Sequence, residues 1–222
     1  MDRQGEVLNT VTHGIGFILS VIATVALILK VAEQNDIWRL IGCSIFGVTL
    51  IAVYAASTLS HAFSDSNRRQ LFRKLDQGFI YLLIVGTYTP FGLTFLRSGG
   101  WLIFLAAMWL AAIFGCVSKI WFSHRIEAVA IWTYVVLGWL PVFPAFWLLR
   151  TVPFGAMVWM LAGGACYTIG TIFLVLDLKR FHFHAIWHLL VISGSTCHYI
   201  AILFFVADSV SIDAAGLMVV GH

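Results

Sequence analysis

The chain has 222 residues, of which 61% are hydrophobic and only 10% charged, where a soluble domain is about 25% charged. That balance leaves too little polar surface for an ordinary water-soluble globule. The net charge of +3 comes from residues in the connections, with no basic stripe interleaved with aromatics, so no nucleic-acid partner is expected.

The opening MDRQGEVLNT has neither the basic start nor the small-residue cleavage site of a secretory signal, so the first apolar span, 11–31, is expected to be retained. Further spans follow at 37–63, 75–96, 101–122, 127–149, 154–178 and 184–207. Residues 40–64, 77–96, 98–118, 128–149, 151–176 and 181–207 contain no Asp, Glu, Lys or Arg. Each run reaches the roughly 20 residues that a helix needs to cross the hydrocarbon layer. None alternates polar with apolar as a transmembrane barrel strand does, and helices are the other structure that satisfies its backbone inside a bilayer. The expected fold is all-α: a single transmembrane domain over 1–222, built as a bundle of seven helices. Short connections are expected, the longest being SDSNRRQLFRK at 64–74.

Within the spans, Pro90, Pro141 and Pro144 predict kinks, and Gly163 with Gly164 predicts close helix packing. Trp38, Trp101 and Trp121 lie near span ends, as interfacial anchors do. Cys43, Cys116, Cys166 and Cys197 stand singly in the spans without a C-x-x-C pair. Packing is therefore expected of them, and neither a disulfide framework nor a thiolate zinc site.

Lys and Arg placement sets the orientation. Arg3, Arg68, Arg69, Arg73, Lys74, Lys119, Arg125, Lys179 and Arg180 fall on one side, and Lys30, Arg39, Arg97 and Arg150 on the other. The positive-inside rule then places the N-terminus in the cytoplasm and the C-terminus outside.

Ionisable residues inside membrane spans are costly and mark candidate functional sites. Here they are His13, His61, Asp76, His184, His188 and His198. All but His198 lie toward the cytoplasmic end of their spans. His184 and His188 are spaced i, i+4 and share a helix face; Ser57 and His61 have the same spacing. An isolated H-x-x-x-H is a weak motif, and a lone membrane histidine commonly serves helix packing. Joined at one depth by S-x-x-x-H and an aspartate, it predicts a metal held by His61, His184 and His188. Three protein ligands with an open fourth position describe a catalytic zinc carrying water. Asp76 is placed to hold that water or to support a histidine, and Ser57 to donate to an oxyanion or to the water. His198 lies about 15 Å farther along the helix, too deep to share the metal, so interior hydrogen bonding is expected of it. His182 faces away from the pair, and His124 and His222 receive no role.

The segments GEVLNTVTHGIG, ASTLSHAF, KLDQGFIYLLIVGTYTPF, SHRIEAV, VLGWLP and HAIWHLLVISGSTCHYIAI resemble the bacterial hemolysin III proteins. That family belongs with the progestin and adipoQ receptors. The resemblance covers nearly the whole chain. It implies seven helices with a cytoplasmic N-terminus and a zinc near the cytoplasmic leaflet. It carries the ligand roles onto His61, His184 and His188, the water-holding aspartate onto Asp76, and the motif serine onto Ser57. Glu6, Asn9 and His13 match the family's N-terminal signature, with no role assigned.

Three functions follow as expectations. The first is a zinc-dependent hydrolase of lipid amides or esters, ceramidase-like, serving membrane lipid homeostasis in a bacterial inner membrane. Its partners would be membrane lipids. The second is a non-enzymatic membrane sensor or regulator in which zinc is structural. The third, from the family name, is cytolysis through a pore, which would need a polar lining running through the bundle.

Overall fold

A computed structural model describes residues 3–97, 100–122, 127–142, 151–176, 183–208, 211–212 and 218–219. His124, Arg125, Pro144, Arg150, Lys179, Arg180, His182 and His222 lie outside the described residues, as does the side chain of Arg3. Among the described residues, seven α-helices run in chain order: α1 (Arg3–Ala32), α2 (Ile37–Ala62), α3 (Ser66–Phe95), α4 (Trp101–Phe122), α5 (Glu127–Trp139), α6 (Phe154–Leu176) and α7 (Phe183–Phe205). All but α5 are long and apolar enough to cross a membrane. A two-residue antiparallel ribbon, β1 (Ser211–Ile212) with β2 (Met218–Val219), follows α7.

α1 is inside-out compared with a helix of a soluble protein. Glu6, Asn9, His13, Ser20 and Thr24 are buried, while Val7, Val11, Ile15, Ile18, Ile22, Val25 and Leu29 are exposed. Water would demand the reverse arrangement. In a lipid surround the apolar face turns outward and polar groups find partners within the bundle. The chain is therefore an integral membrane protein. Trp38 and Trp121 are exposed at helix ends, as expected of interfacial anchors, whereas Trp101 packs inward against the core.

Three boundaries differ from the sequence expectation. α1 begins near residue 3 rather than 11, so Glu6 and Asn9 are helical. Most of 64–74 is also helical, because Asp65 caps α3 by accepting the Arg68 N–H at 2.9 Å, which satisfies an orphan donor of the first turn. The connection shrinks to 63–65. α5 stops at Trp139 and passes into a 3₁₀ turn, Leu140–Val142, since the Pro141 ring cannot continue the α ladder. Pro90, by contrast, sits inside α3. There α2 comes so close that a Cβ at Gly42 would stand 2.8 Å from the Pro90 Cα.

Helices α1, α2, α3, α5, α6 and α7 contact one another in ring order, and α4 packs on α3. The main core joins Leu27 and Val31 of α1, Phe46, Leu50 and Val53 of α2, Leu83 of α3 and Val191 and Ile202 of α7. A second cluster joins Tyr81 and Val85 of α3 to Met108 and Ala112 of α4 and to Tyr134 and Leu137 of α5. Of the expected close-packing glycines, only Gly163 behaves so. It meets Gly194 of α7, where a Cβ on either would come within 3.0–3.1 Å of the other's carbonyl oxygen. Gly164 instead lines the interior cavities. The four cysteines are free thiols.

Candidate metal centre

The helical frame brings one end of α1, α2, α3 and α7 together. His61 closes α2, and His184 and His188 lie in the first two turns of α7. One nitrogen from each falls within 4.8 Å of the others, and the ring centroids are 4.6–5.2 Å apart. His61 and His188 are buried, and His184 is half-buried. The Nε2 atoms of His61 and His184 are 3.3 Å apart. Two nitrogens each bound at about 2.0–2.1 Å to a tetrahedral metal stand roughly 3.3–3.4 Å apart. The donor set and this spacing fit a metal ion.

Tautomers support the same geometry. The Nδ1–H of His61 donates to Glu6 Oε2 at 2.8 Å, leaving the Nε2 lone pair for the centre. Thr12 donates its hydroxyl proton to the carbonyl oxygens of Leu8 and Asn9, at 2.9 and 3.1 Å. Its oxygen can therefore accept from Nδ1–H of His188, 3.4 Å away, again leaving Nε2 as the ligand atom. Such partners fix ring orientation and raise ligand basicity. Glu6 Oε1 also lies 3.5 Å from Arg69 and 3.8 Å from Arg73 of α3, tying α1, α2 and α3 together at this end.

Ser57, one turn back from His61, is 1% exposed. Its Oγ is 2.6 Å from Nδ1 of His13 and in polar contact with the Asp76 carboxyl. The His13 ring stacks on His188 with centroids 3.6 Å apart. Asp76 is not among the groups close enough to share the ion. The carboxylate that supports a ligand histidine is Glu6, and Asp76 faces Ser57 instead. His13, Ser57 and Asp76 line one part of a cavity with an empty volume of about 890 Å³, part of it open to the outside. Most of the wall is apolar and includes Val53, Ile80, Leu83, Ile84, Trp187 and Val191. The cavity lies among α3, α5, α6 and α7, where the contacts of α5 with its neighbours are sparse.

Sequence reasoning brought His61, His184, His188, Ser57 and Asp76 to one region, and the structure places them there. It left Glu6, Asn9, Thr12 and His13 without roles. Glu6, Asn9 and His13 are spaced i, i+3, i+7, which puts them on one helix face. That periodicity was the available signal, hidden because the helix was expected to begin only at residue 11. His198 stands apart from the centre, as expected, with Nε2 3.2 Å from the Met160 carbonyl oxygen.

A protein-family model described as Haemolysin-III related matches residues 1–199. The chain is 37% identical to Hemolysin-3 of Bacillus cereus over 207 residues, covering 93% of this chain and 94% of that protein. It is 36% identical to a Hemolysin-3 homolog of Bacillus subtilis over 200 residues, covering 90% and 93%. A human protein, monocyte to macrophage differentiation factor, is 27% identical over 206 residues, covering 87% and 81%.

Proposed function

This chain belongs to the haemolysin-III-related family, and we propose that it is a zinc-dependent hydrolase of membrane lipid amides or esters. The observation that carries this is the juxtaposition of three converging imidazoles with buried Ser57 and its partner Asp76 at the end of an apolar cavity. His61, His184 and His188 would hold the ion through Nε2. Bound there, zinc acidifies a water and polarises a carbonyl. Asp76 accepts the proton of the attacking water at a carboxylate oxygen and returns it to the leaving amine or alcohol. Ser57 donates its Oγ–H to the developing oxyanion, held in place by an Nδ1–H···Oγ bond from His13. Val53, Leu83, Ile84 and Val191 would receive an acyl chain, which restricts substrates to lipids.

The same proposal takes α5 with the residues after it as a seventh span, the chain as one domain, and the N-terminus as cytoplasmic. The cell membrane of a bacterium fits the Bacillus relatives, and a role in lipid homeostasis would follow from the hydrolysis proposed. The name of those relatives raises cytolysis, but His13, His61, Asp76, His184 and His188 gather at one end of the bundle, which suits a site better than a pore.

The test is product release by the purified protein. With zinc supplied, lipid amides or esters should turn over, and His188→Ala should abolish that turnover. Absence of turnover across both substrate classes, or equal turnover in the variant, overturns the enzymatic proposal. One observation favours a second function, a zinc-braced regulator. The ligands join α2 to α7, two helices not among the well-contacted pairs of the bundle. A metal there would then matter for stability, and its removal would lower the melting temperature with no turnover to lose.

A further inference from the structure

His198 leaves one hydrogen-bonding atom unaccounted for. It is 5% exposed and lines the cavity that begins at His13, Ser57 and Asp76. Its Nε2 faces the Met160 carbonyl oxygen at 3.2 Å. A carbonyl only accepts, so Nε2 carries the hydrogen and Nδ1 of the neutral ring is a bare acceptor. That Nδ1 is buried and has no partner among the described residues, a costly state for a polar atom.

Neighbouring hydroxyls are already engaged. Tyr54 and Tyr167 both bond to Ser195 Oγ, at 3.0 and 2.8 Å. Thr168 donates to the Gly164 carbonyl oxygen, Thr171 to that of Thr168, and Thr87 to that of Leu83. A helix-bracing role explains the contacts of His198 with Met160 and Gly163 and leaves Nδ1 idle.

The other end of the cavity has the same signature. His13 Nε2 is buried and has no side-chain hydrogen-bond partner among the described residues, beside Ser57 and Asp76. Because His13 stacks on His188, and His198 follows ten residues later on the same helix, the two idle nitrogens are separated by about 15 Å along the axis. At a C–C bond length of about 1.5 Å, a zigzag hydrocarbon spans that distance in roughly a dozen carbons.

We infer that the cavity binds an aliphatic lipid whose polar head meets His13, Ser57 and Asp76 and whose chain carries a mid-chain hydroxyl that donates to His198 Nδ1. The inference rests on the cavity taking a lipid, as proposed above, and not on that lipid being cleaved.

Competition binding read by native mass spectrometry on the purified full chain tests it. The probes are methyl oleate and methyl ricinoleate, which differ by one hydroxyl about a dozen carbons from the head. Intact ester and released acid are counted together, so turnover or its absence does not alter the result. Wild type should favour the hydroxylated lipid at least fivefold, and His198→Phe should reduce that preference below twofold. Methyl oleate hydroxylated at its tip should gain nothing in wild type, a control that needs no variant to fold. A wild-type preference below twofold, as expected if a water occupies Nδ1, overturns the inference. So does an equal gain from the tip hydroxyl, or an undiminished preference in a folded His198→Phe. If the preference holds while neither lipid amides nor lipid esters turn over, only the hydrolase proposal fails.

Discussion

Glu6 Oε2 and His61 Nδ1 stand 2.8 Å apart across 55 residues of sequence. This bond joins the first turns of α1 to the last turn of α2 and aims the opposite ring nitrogen at His184. A carboxylate on the far side of a ligand imidazole commonly alters metal affinity by about 10–100-fold. Glu6→Gln should therefore weaken metal binding by about that factor, with Glu6→Ala weaker still. Zinc titration against a chelating dye measures it; unchanged affinity in both variants removes Glu6 from the centre.

The three histidines differ from Ser57 and Asp76 in what they should control. His61→Ala, His184→Ala and His188→Ala should each lose most of the bound metal on purification. Asp76→Asn and Ser57→Ala should keep it, because neither side chain is among the groups close enough to share the ion. Elemental analysis of the five variants beside wild type separates the classes. Metal lost from Asp76→Asn would mean that Asp76 is itself a ligand.

His13 holds Ser57 through a 2.6 Å bond and stacks on His188. His13→Phe retains an aromatic ring for stacking and removes the Nδ1 donor. Metal content should stay near wild type, while turnover should fall about 10²–10³-fold if Ser57 must be aimed to act as an oxyanion donor. Comparison with Ser57→Ala is informative: the double variant should be hardly worse than either single, since both break one unit.

At the α6–α7 crossing, Gly163→Val should be destabilising. Its side chain would enter the space of the His198 ring and approach the Gly194 carbonyl oxygen. Overpacking of this kind costs about 1–3 kcal/mol, visible as a lower melting temperature in detergent. Gly164→Ala should be nearly neutral, because among the described residues its Cβ would meet only the Trp139 ring, at an ordinary 3.7 Å.

Metal removal should lower the melting temperature of wild type and leave His188→Ala unmoved. An ion that binds only the folded state stabilises it by about 2.7 kcal/mol when present at 100 times its dissociation constant. Equal melting temperatures with and without chelator in wild type would mean that the three imidazoles hold no ion tightly.

Much of the molecule was legible because lipid imposes simple rules. A run such as 98–118, without a charge, can only be a spanning helix or a buried one, and α4 covers nearly that range as Trp101–Phe122. Ionisable residues stood out against such a background, so His61, His184 and His188 could be grouped by depth and spacing alone. Polar sequence near a helix start was harder. Residues 3–10 and 66–74 are helical in the structure, yet their composition suits a solvated connection equally well. Their helicity comes from packing at the end of the bundle and from the Asp65 cap, neither of which hydropathy records.

The sequence by itself determined the membrane helices, the i, i+4 histidine pair and the depth of its third partner, because burial in lipid and helical periodicity are local properties of the chain. Tertiary structure alone decided that Glu6 turns His61, that His13 grips Ser57 while lying on His188, and that His198 keeps a buried nitrogen with no partner among the described residues. Those relationships span tens to nearly two hundred residues. They depend on which helix faces meet, and no local periodicity encodes that.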